Sequence, residues 1–195
     1  LKLANDFVRA LPFTLTKEQL EAVREIGYDM NKQTLMYRLL QGDVGSGKTV
    51  VAFIALYINY LRNAQGVFLA PTESLAKQHY ESMLAFFKPF NVRIKLLIGA
   101  LKESEKAELK TQIQLGNVDI VVGTHALFSE DVIYPKLELV IIDEQHKFGV
   151  NQRETLLNKG DKADLLLLSA TPIPQTLASV IYSDTDITTI KSFPH

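Results

Sequence analysis

Residues 42–49, Gly-Asp-Val-Gly-Ser-Gly-Lys-Thr, have the residue types and the spacing of a phosphate-binding loop. Glycines let the backbone take positive φ and turn successive N–H groups inward around a phosphate. Lys48 would neutralise β- and γ-phosphate oxygens, and the hydroxyl of Thr49 would ligate Mg²⁺. We therefore predict a nucleoside triphosphate site whose backbone cradle is made by Gly42, Asp43, Val44, Gly45, Ser46 and Gly47.

The residues on both sides of this loop supply the strand and the helix that it needs. Residues 35–41 are mostly apolar and predict a strand, whereas residues 50–58 are apolar nearly all round, which indicates a buried helix. The N-terminus of that helix would add a partial positive charge beside the phosphates. The alternative is a chance glycine-rich turn before a helix, and it explains neither the Lys-Thr ending nor the two flanks.

Two adjacent carboxylates, Asp143 and Glu144, follow the mostly apolar run of residues 137–142. We expect Asp143 to hold Mg²⁺, mostly through water, as the strand-end aspartate does in P-loop NTPases. Glu144 would orient and deprotonate the attacking water, because one carboxylate cannot both hold the metal and act as the base. The structural alternative is that the pair caps the N-terminus of a following helix.

Further polar groups follow the ends of apolar runs. His146 lies in the same loop as the acidic pair, where it could relay the state of the γ-phosphate to neighbouring segments. Ser169, Ala170 and Thr171 end the run of residues 165–168. At that position we expect the serine and threonine hydroxyls to form hydrogen bonds with the acidic loop.

Three polar side chains each have two interpretations. Gln19 comes three residues after Thr16, so it completes a capping box, but its amide could also pair with an adenine edge. The spacing alone favours the cap. His79 lies on or beside an apolar helical stripe, so we interpret it as a packing residue and not as a ligand. His125 could donate to a phosphate or cap a turn, and the sequence leaves both open.

The elements that position these groups are short apolar strands separated by helical patterns. Several strand runs are continuously apolar, as expected of strands covered on both faces. We therefore predict an α/β fold, a mainly parallel twisted sheet with helices on both faces. In such sheets ligands bind beyond the carboxyl ends of the strands, where the polar motifs fall. The predicted strands are residues 35–41, 66–70, 92–98, 119–123, 137–142, 165–168 and 187–190, and the predicted helices include residues 1–11, 73–87 and 102–115.

Length and composition narrow the class of protein. The 195 residues suit one domain, and 47% of them are hydrophobic, which is enough for a sizeable core. The formal net charge of −1 gives no global basic footprint, so any nucleic-acid contact must be local. There is no cysteine, which excludes disulfides and thiolate metal sites, and no apolar run long enough to cross a membrane. The chain begins with Leu, so we expect it to be part of a longer protein.

Taken together, these motifs resemble the first RecA-like lobe of superfamily 2 helicases, and most of all that of RecG-type ATP-dependent DNA helicases. The resemblance covers nearly the whole chain, with residues 1–12 as a lead-in segment to one helicase ATP-binding domain of residues 1–195. The segments that carry it are residues 11–19, 38–49, 70–79, 123–127, 143–153 and 169–178.

The resemblance implies roles that spacing does not give. It makes Gln19 the adenine-reading residue, with ATP and Mg²⁺ as the cofactors, and it makes Lys48, Glu144 and His146 catalytic. It assigns coupling between hydrolysis and lobe movement to Ser169, Ala170 and Thr171. It also implies a track for the DNA backbone, formed by Pro71, Thr72, Gly99, Thr124 and His125.

The resemblance further implies partners and a place of action. Members of the family remodel stalled forks and Holliday junctions by translocating on duplex DNA, in the bacterial cytoplasm at the nucleoid. A wedge domain precedes this lobe and a second RecA-like lobe follows it, bringing an arginine to the γ-phosphate. Such an arginine is typically worth about 10³–10⁵ in turnover, so we expect this chain alone to bind nucleotide weakly and hydrolyse it barely.

The chain departs from the family pattern at three positions. Lys147 and Gln175 stand where the family usually has arginine, and Ala100 replaces a more polar residue. Lys147 keeps the charge but loses the bidentate fork, whereas Gln175 loses the charge.

Other functions fit parts of the same pattern. A transcription–repair coupling translocase shares the region of residues 173–174, although Gln145, Gln152 and Arg153 favour RecG. A P-loop kinase or phosphotransferase would need a substrate lid, which the sequence does not suggest. A non-hydrolysing nucleotide-binding module would not need Glu144.

Overall fold

The structure is a computed structural model that describes residues 8–9, 11, 13–43, 47–144, 163–170 and 186–190. Most of the predicted lead-in helix, residues 1–11, lies outside them. From residue 17 to residue 143 helices and strands alternate along the chain. The elements are α1 (Lys17–Asn31), β1 (Tyr37–Gly42), α2 (Lys48–Leu61), β2 (Gln65–Leu69), α3 (Glu73–Phe86), β3 (Ile94–Leu97), α4 (Glu103–Gln114), β4 (Ile120–Gly123), a 3₁₀ helix (His125–Phe128), β5 (Leu137–Asp143), β6 (Asp164–Ser169) and β7 (Asp186–Ile190).

The strands form one sheet in the order β3-β4-β2-β5-β6-β1-β7. Every neighbouring pair in this sheet is parallel. Parallel neighbours require crossover connections, which explains why helices separate most of the strands. The predicted fold class is therefore confirmed.

Helices cover both faces of the sheet, as the continuous apolar runs predicted. In β5, Leu139 and Ile141 pack in the core cluster that contains buried residues of α1, α2 and α3. Val140 and Ile142 point to the other face and pack with buried residues of α4. Because successive strand residues face opposite sides, a strand covered on both sides has to be apolar throughout.

Two local predictions need correction. Strand β3 covers only Ile94–Leu97, shorter than the predicted residues 92–98, and it lies at the edge of the sheet with β4 as its neighbour. For α4 the sequence predicts an exposed helix with three apolar anchors, Ala107, Leu109 and Ile113. Leu109 and Ile113 are buried, but Ala107 is exposed. A helix on the outside of a sheet needs only a narrow apolar stripe, and here two residues provide it.

Arg62 joins three elements at the edge of the sheet opposite the carboxyl ends of the strands. It follows α2 and donates to the backbone carbonyls of Met30 and Glu138 over 3.0 and 2.9 Å. It also forms an ion pair of 2.9 Å with Asp164, whose other oxygen accepts a 2.7 Å hydrogen bond from the Met36 amide. Asp164 is buried, so its charge depends on this arginine.

We expect Arg62→Met to lower the free energy of unfolding by about 2–3 kcal/mol, because it leaves a buried carboxylate without its cation. The figure is below that for a fully buried pair because the Arg62 side chain is 26% exposed. The control is Arg93→Met, since Arg93 also pairs with an aspartate but is 52% exposed. Its loss should cost about 0–1 kcal/mol. Urea denaturation of both variants checks this, and equal losses would contradict it.

Candidate functional site

Three neighbouring strands bring the phosphate-binding loop and the acidic pair to the same edge of the sheet. In the parallel register Asp143 of β5 lies beside Leu168 of β6, and Ser169 of β6 lies beside Gln41 of β1. Asp143, Ser169 and Gly42 therefore end adjacent strands. The prediction that these motifs converge at the carboxyl ends of the strands is confirmed for these residues.

The two ends of the phosphate-binding loop have the expected geometry. Gly42 ends β1, and Gly47 has a φ of 90°, a left-handed conformation that glycine adopts without steric cost. Lys48 begins α2, two residues earlier than predicted, and is only 8% exposed. Thr49 follows in the first turn and is half-buried. Asp43 is exposed, and Val44, Gly45 and Ser46 lie outside the described residues.

Gln19 connects α1 to this loop. Its side-chain Oε1 accepts a 2.8 Å hydrogen bond from the backbone amide of Thr16, and its backbone amide donates to the Thr16 hydroxyl over 3.2 Å. The predicted capping box is therefore present. The Nε2 of Gln19 donates to the carbonyl of Gly47 over 3.2 Å. Gln19 is only 2% exposed, so its side-chain amide connects the N-terminus of α1 to the phosphate-binding loop within the protein interior. The adenine role of Gln19 stays a prediction.

Asp143 has a partner that sequence reasoning missed. It ends β5, is 8% exposed, and its Oδ2 lies 3.1 Å from Nε2 of His79 on α3. Because an ionised carboxylate only accepts, Nε2 must carry the hydrogen. The His79 ring also packs on Phe68 with 4.7 Å between ring centroids. The predicted packing is therefore present, but the prediction did not include the hydrogen bond to Asp143. The two residues are 64 positions apart, and no local spacing signals such a contact.

Glu144 has an unusual backbone conformation. Its φ is 53°, in the left-handed region that residues other than glycine seldom occupy. Such strain typically costs about 1–3 kcal/mol and concentrates at functional sites. The residue is half-buried and directly follows the strand end. This position is consistent with a carboxylate that is held in place for chemistry.

The remaining residues predicted for this half of the edge are only partly described. Ser169 is buried at 4% exposure and ends β6, and Ala170 after it is half-buried. His146 and Thr171 lie outside the described residues, as do Lys147 and Gln175. Their predicted roles stay predictions, and so does the interpretation of the acidic pair as a helix cap.

The five residues predicted to line a DNA track lie beyond the ends of the other neighbouring strands, β3, β4 and β2. In the register of this half, Leu97, Gly123 and Leu69 are side by side. Gly99, Thr124 and Pro71 follow them in sequence. The edge of the sheet thus has one half with the phosphate-binding loop and one half with the predicted track.

Exposure differs among these five residues. Thr72, Gly99 and His125 are exposed and Pro71 is half-buried. Thr72 also caps α3, because its hydroxyl accepts a 3.2 Å hydrogen bond from the Leu75 amide. Thr124 is 3% exposed, and its hydroxyl has no hydrogen-bond partner among the residues that the structure describes. A polymer on this surface would therefore meet the neighbours of Thr124 before its side chain.

The described residues include oxygen ligands of the kind that Mg²⁺ uses. Within the described ranges there is no group of three or more His, Asp or Glu side chains arranged to hold a metal ion. Mg²⁺ is usually bound by one or two protein oxygens together with substrate phosphates and water. A strand-end carboxylate, Asp143, and a first-turn hydroxyl, Thr49, are oxygens of that kind.

Comparisons with known proteins agree with this geometry. A family model described as DEAD/DEAH box helicase matches residues 16–180. The ATP-dependent DNA helicase RecG of Thermotoga maritima is 52% identical over 193 residues, which are 99% of this chain and 25% of that protein. The RecG of Bacillus subtilis is 47% identical over 188 residues, 96% of this chain and 28% of that protein. The chain thus spans about a quarter of the length of these relatives.

Solved structures give the same picture. A structure of RecG bound to a three-way DNA junction matches with a TM-score of 0.88 and 48% identity, over 99% of this chain and 26% of that one. A DEAD box protein from Methanococcus jannaschii matches with a TM-score of 0.63 over 92% of this chain and 55% of that one. Its identity of 22% supports the fold alone. The fold is that of a RecA-like helicase lobe.

Proposed function

The chain belongs to the DEAD/DEAH box helicases, and from this premise we propose that it is the ATP-binding motor lobe of a RecG-type DNA helicase. The predicted resemblance to RecG is confirmed over nearly the whole chain. The activity of the complete protein, ATP-dependent remodelling of branched or duplex DNA, is part of the proposal. So is its place in the bacterial cytoplasm at the nucleoid. In the part of the chain that the structure describes, no helix is both long and apolar enough to cross a membrane.

One observation carries the proposal: in the register of β5, β6 and β1, Asp143 ends a strand at the same edge as Gly42, the first residue of the phosphate-binding loop. Glu144 directly follows Asp143, and Gly47 and Lys48 lie at the other end of that loop. A hydrolase needs a phosphate cradle beside a metal-binding carboxylate and a base. A glycine-rich turn elsewhere on the surface would lack the last two. The transcription–repair and phosphotransferase alternatives are not favoured, because the alignments with the RecG relatives cover almost the whole chain.

The chain's own residues divide the work of hydrolysis. The N-terminus of α2 and the ammonium of Lys48 bind the phosphates, because both present positive charge at the same strand end. Thr49 and Asp143 would hold Mg²⁺, which when bound neutralises charge on the phosphate oxygens. Glu144 would hold the attacking water and accept its proton. His146, Ser169, Ala170 and Thr171 would pass the state of the site to the rest of the motor.

DNA would lie along the other half of the edge. Thr72, Gly99 and His125 are the exposed members of the predicted track, and they would contact the DNA backbone first, with Pro71 beside them and Thr124 beneath the surface. Amide, hydroxyl and imidazole groups can bind phosphates without a large basic patch, which suits the net charge of −1. We also propose that a wedge domain and a second RecA-like lobe of the same protein complete the motor.

ATPase assays on the complete protein test this proposal. We expect forked DNA to stimulate hydrolysis more than single strands do. The isolated chain should hydrolyse ATP barely, because an arginine from a second lobe is typically worth about 10³–10⁵ in turnover. If DNA stimulated the isolated chain to the turnover of the complete protein, the proposal that a second lobe supplies an essential arginine would be wrong. ATP hydrolysis that no DNA stimulates would contradict the motor.

Two substitutions of Gln19 separate its structural role from its nucleotide role. Gln19→Glu keeps the acceptor for the Thr16 amide but loses the donor to Gly47 and to adenine, whereas Gln19→Met loses both. We expect Gln19→Glu to weaken ATP binding roughly tenfold, about the loss of one hydrogen bond, and to lower the melting temperature as well, because it buries a carboxylate beside the Gly47 carbonyl. Gln19→Met should lower both, the stability by about 1 kcal/mol.

Calorimetric titration with ATP and thermal unfolding of the two variants give the two readouts. If Gln19→Glu binds ATP as tightly as the unmodified protein does, the capping box is the whole role of Gln19.

A further inference from the structure

We infer that His79 is a positioning residue for the magnesium-binding carboxylate of Asp143, an inference that rests on the proposed ATP site. The imidazole holds Oδ2 of Asp143 and thereby fixes the direction in which the carboxylate presents its other oxygen to Mg²⁺ or to a water bound to it. Metal-ligating carboxylates are commonly held by such partners, and losing the partner typically costs roughly 10–100-fold in metal affinity or activity.

The hydrogen bond is in a place where water cannot easily replace it. Nε2 of His79 and Oδ2 of Asp143 are 3.1 Å apart, and the two side chains are 15% and 12% exposed. With little solvent nearby, such a bond is stronger than at the surface. The orientation of the carboxylate therefore depends on the histidine.

The imidazole itself is restrained from a second side. His79 is on α3, and its ring packs on Phe68 of β2, which is completely buried. Phe68 lies beside Ile141 in the register between β2 and β5, two residues before Asp143. The donor thus packs on β2 and the acceptor ends β5, the neighbouring strand, which restrains the distance between them.

The choice of partner distinguishes Asp143 from the other buried aspartates that the structure describes. Asp29 pairs with Arg38 over 2.7 Å, and Asp164 pairs with Arg62 over 2.9 Å. An arginine carries a permanent positive charge, which satisfies a structural carboxylate but would repel a metal cation. The imidazole of His79 donates a hydrogen bond without carrying a permanent charge. The partner of Asp143 therefore differs in kind from the partners of the two structural aspartates.

The test measures metal affinity and not only turnover. In the complete protein with ADP bound, Mn²⁺ affinity is measured from the electron paramagnetic resonance of unbound Mn²⁺. His79→Leu and His79→Phe remove the donor, and the phenyl ring keeps the contact with Phe68. His79→Gln places an amide nitrogen near the position of Nε2. The control is Ser82→Ala, an exposed position on the same helix.

We expect the variants without a donor to bind Mn²⁺ roughly 10–100-fold more weakly, and His79→Gln to recover most of that loss. ADP affinity without metal should be unchanged in all of them, and Ser82→Ala should match the unmodified protein. If His79→Leu fails to fold, His79→Phe gives the same comparison. Unchanged Mn²⁺ affinity in both would overturn the inference, and so would a His79→Gln variant as weak as His79→Phe.

Asp143→Asn separates this inference from the function on which it rests. If Asp143→Asn loses Mn²⁺ while the variants at His79 keep it, the metal site is correct and the role of His79 is wrong. If Asp143→Asn binds Mn²⁺ as the unmodified protein does, the proposed metal site is itself wrong and the inference fails with it.

Discussion

Replacing Glu144 by Gln in the complete protein should reduce the turnover of ATP by about 10²–10⁴-fold, the usual contribution of a general base. ATP affinity should stay unchanged, because in the proposed site the N-terminus of α2 and Lys48 would bind the phosphates. Gln has the size of Glu but cannot accept the proton of the attacking water. Single-turnover hydrolysis and an equilibrium ATP titration measure the two quantities.

The unusual backbone conformation of Glu144 does not complicate the interpretation of this substitution. Glu and Gln experience the same steric cost at a φ of 53°, so the variant changes the carboxylate and not the conformational strain. Glu130→Gln is a matched control, since Glu130 is exposed and outside the proposed site. A Glu144→Gln variant that retains full turnover would show that another group is the base.

The architecture of the sheet could be predicted because local patterns determine it. A run such as residues 165–168 is apolar at every position, as expected of a strand covered on both faces. The grouping of motifs at one edge follows from the same prediction, because all parallel strands have their carboxyl ends on one side. Capping residues such as Thr16 and Thr72 could also be found, since a cap bonds within three residues.

The features that escaped prediction depend on contacts between distant segments. Strand β1 pairs with β6 and β7, more than a hundred positions later in the chain, and periodicity carries no information about such neighbours. The bond between His79 and Asp143 joins residues 64 positions apart and requires β2 to lie beside β5. The bond from Gln19 to Gly47 joins residues 28 positions apart. The left-handed φ of Glu144 had no signal at all, because tertiary structure imposes it against the preference of the residue.

Gly123 lies at the end of the sheet edge that carries the predicted DNA track, where β3 and β4 are in close contact. It ends β4 and is beside Leu97 of β3 and Leu69 of β2. A Cβ at this position would be 2.2 Å from the carbonyl oxygen of Leu97 and 3.0 Å from the side chain of Leu127. On the other side, the carbonyl of Gly123 accepts a 2.8 Å hydrogen bond from the Ala70 amide. The strand cannot move away from Leu97 without disturbing that bond.

Gly123→Ala should therefore lower the free energy of unfolding by at least about 3 kcal/mol, the upper range for an overpacked site, because the atom in the way belongs to the backbone. Two other glycines calibrate the result. Gly116→Ala meets no atom within 4 Å but has a φ of +78°, so it should cost only about 1–2 kcal/mol of steric strain. Gly99→Ala meets only the Glu73 carboxylate at 3.3 Å, which can move aside, and should be nearly neutral.

Urea denaturation of the three variants, with midpoint and slope compared, measures these differences. A Gly123→Ala variant as stable as Gly99→Ala would mean that β3 and β4 are not packed as tightly as this register requires. The loss of stability in Gly123→Ala should also affect function. A shift of β3 away from β4 would separate Gly99 from His125, two residues of the proposed DNA track. DNA-stimulated hydrolysis by the complete protein should then decrease in Gly123→Ala at temperatures where the fold persists, while ATP affinity, which depends on β1, α2 and β5, is retained.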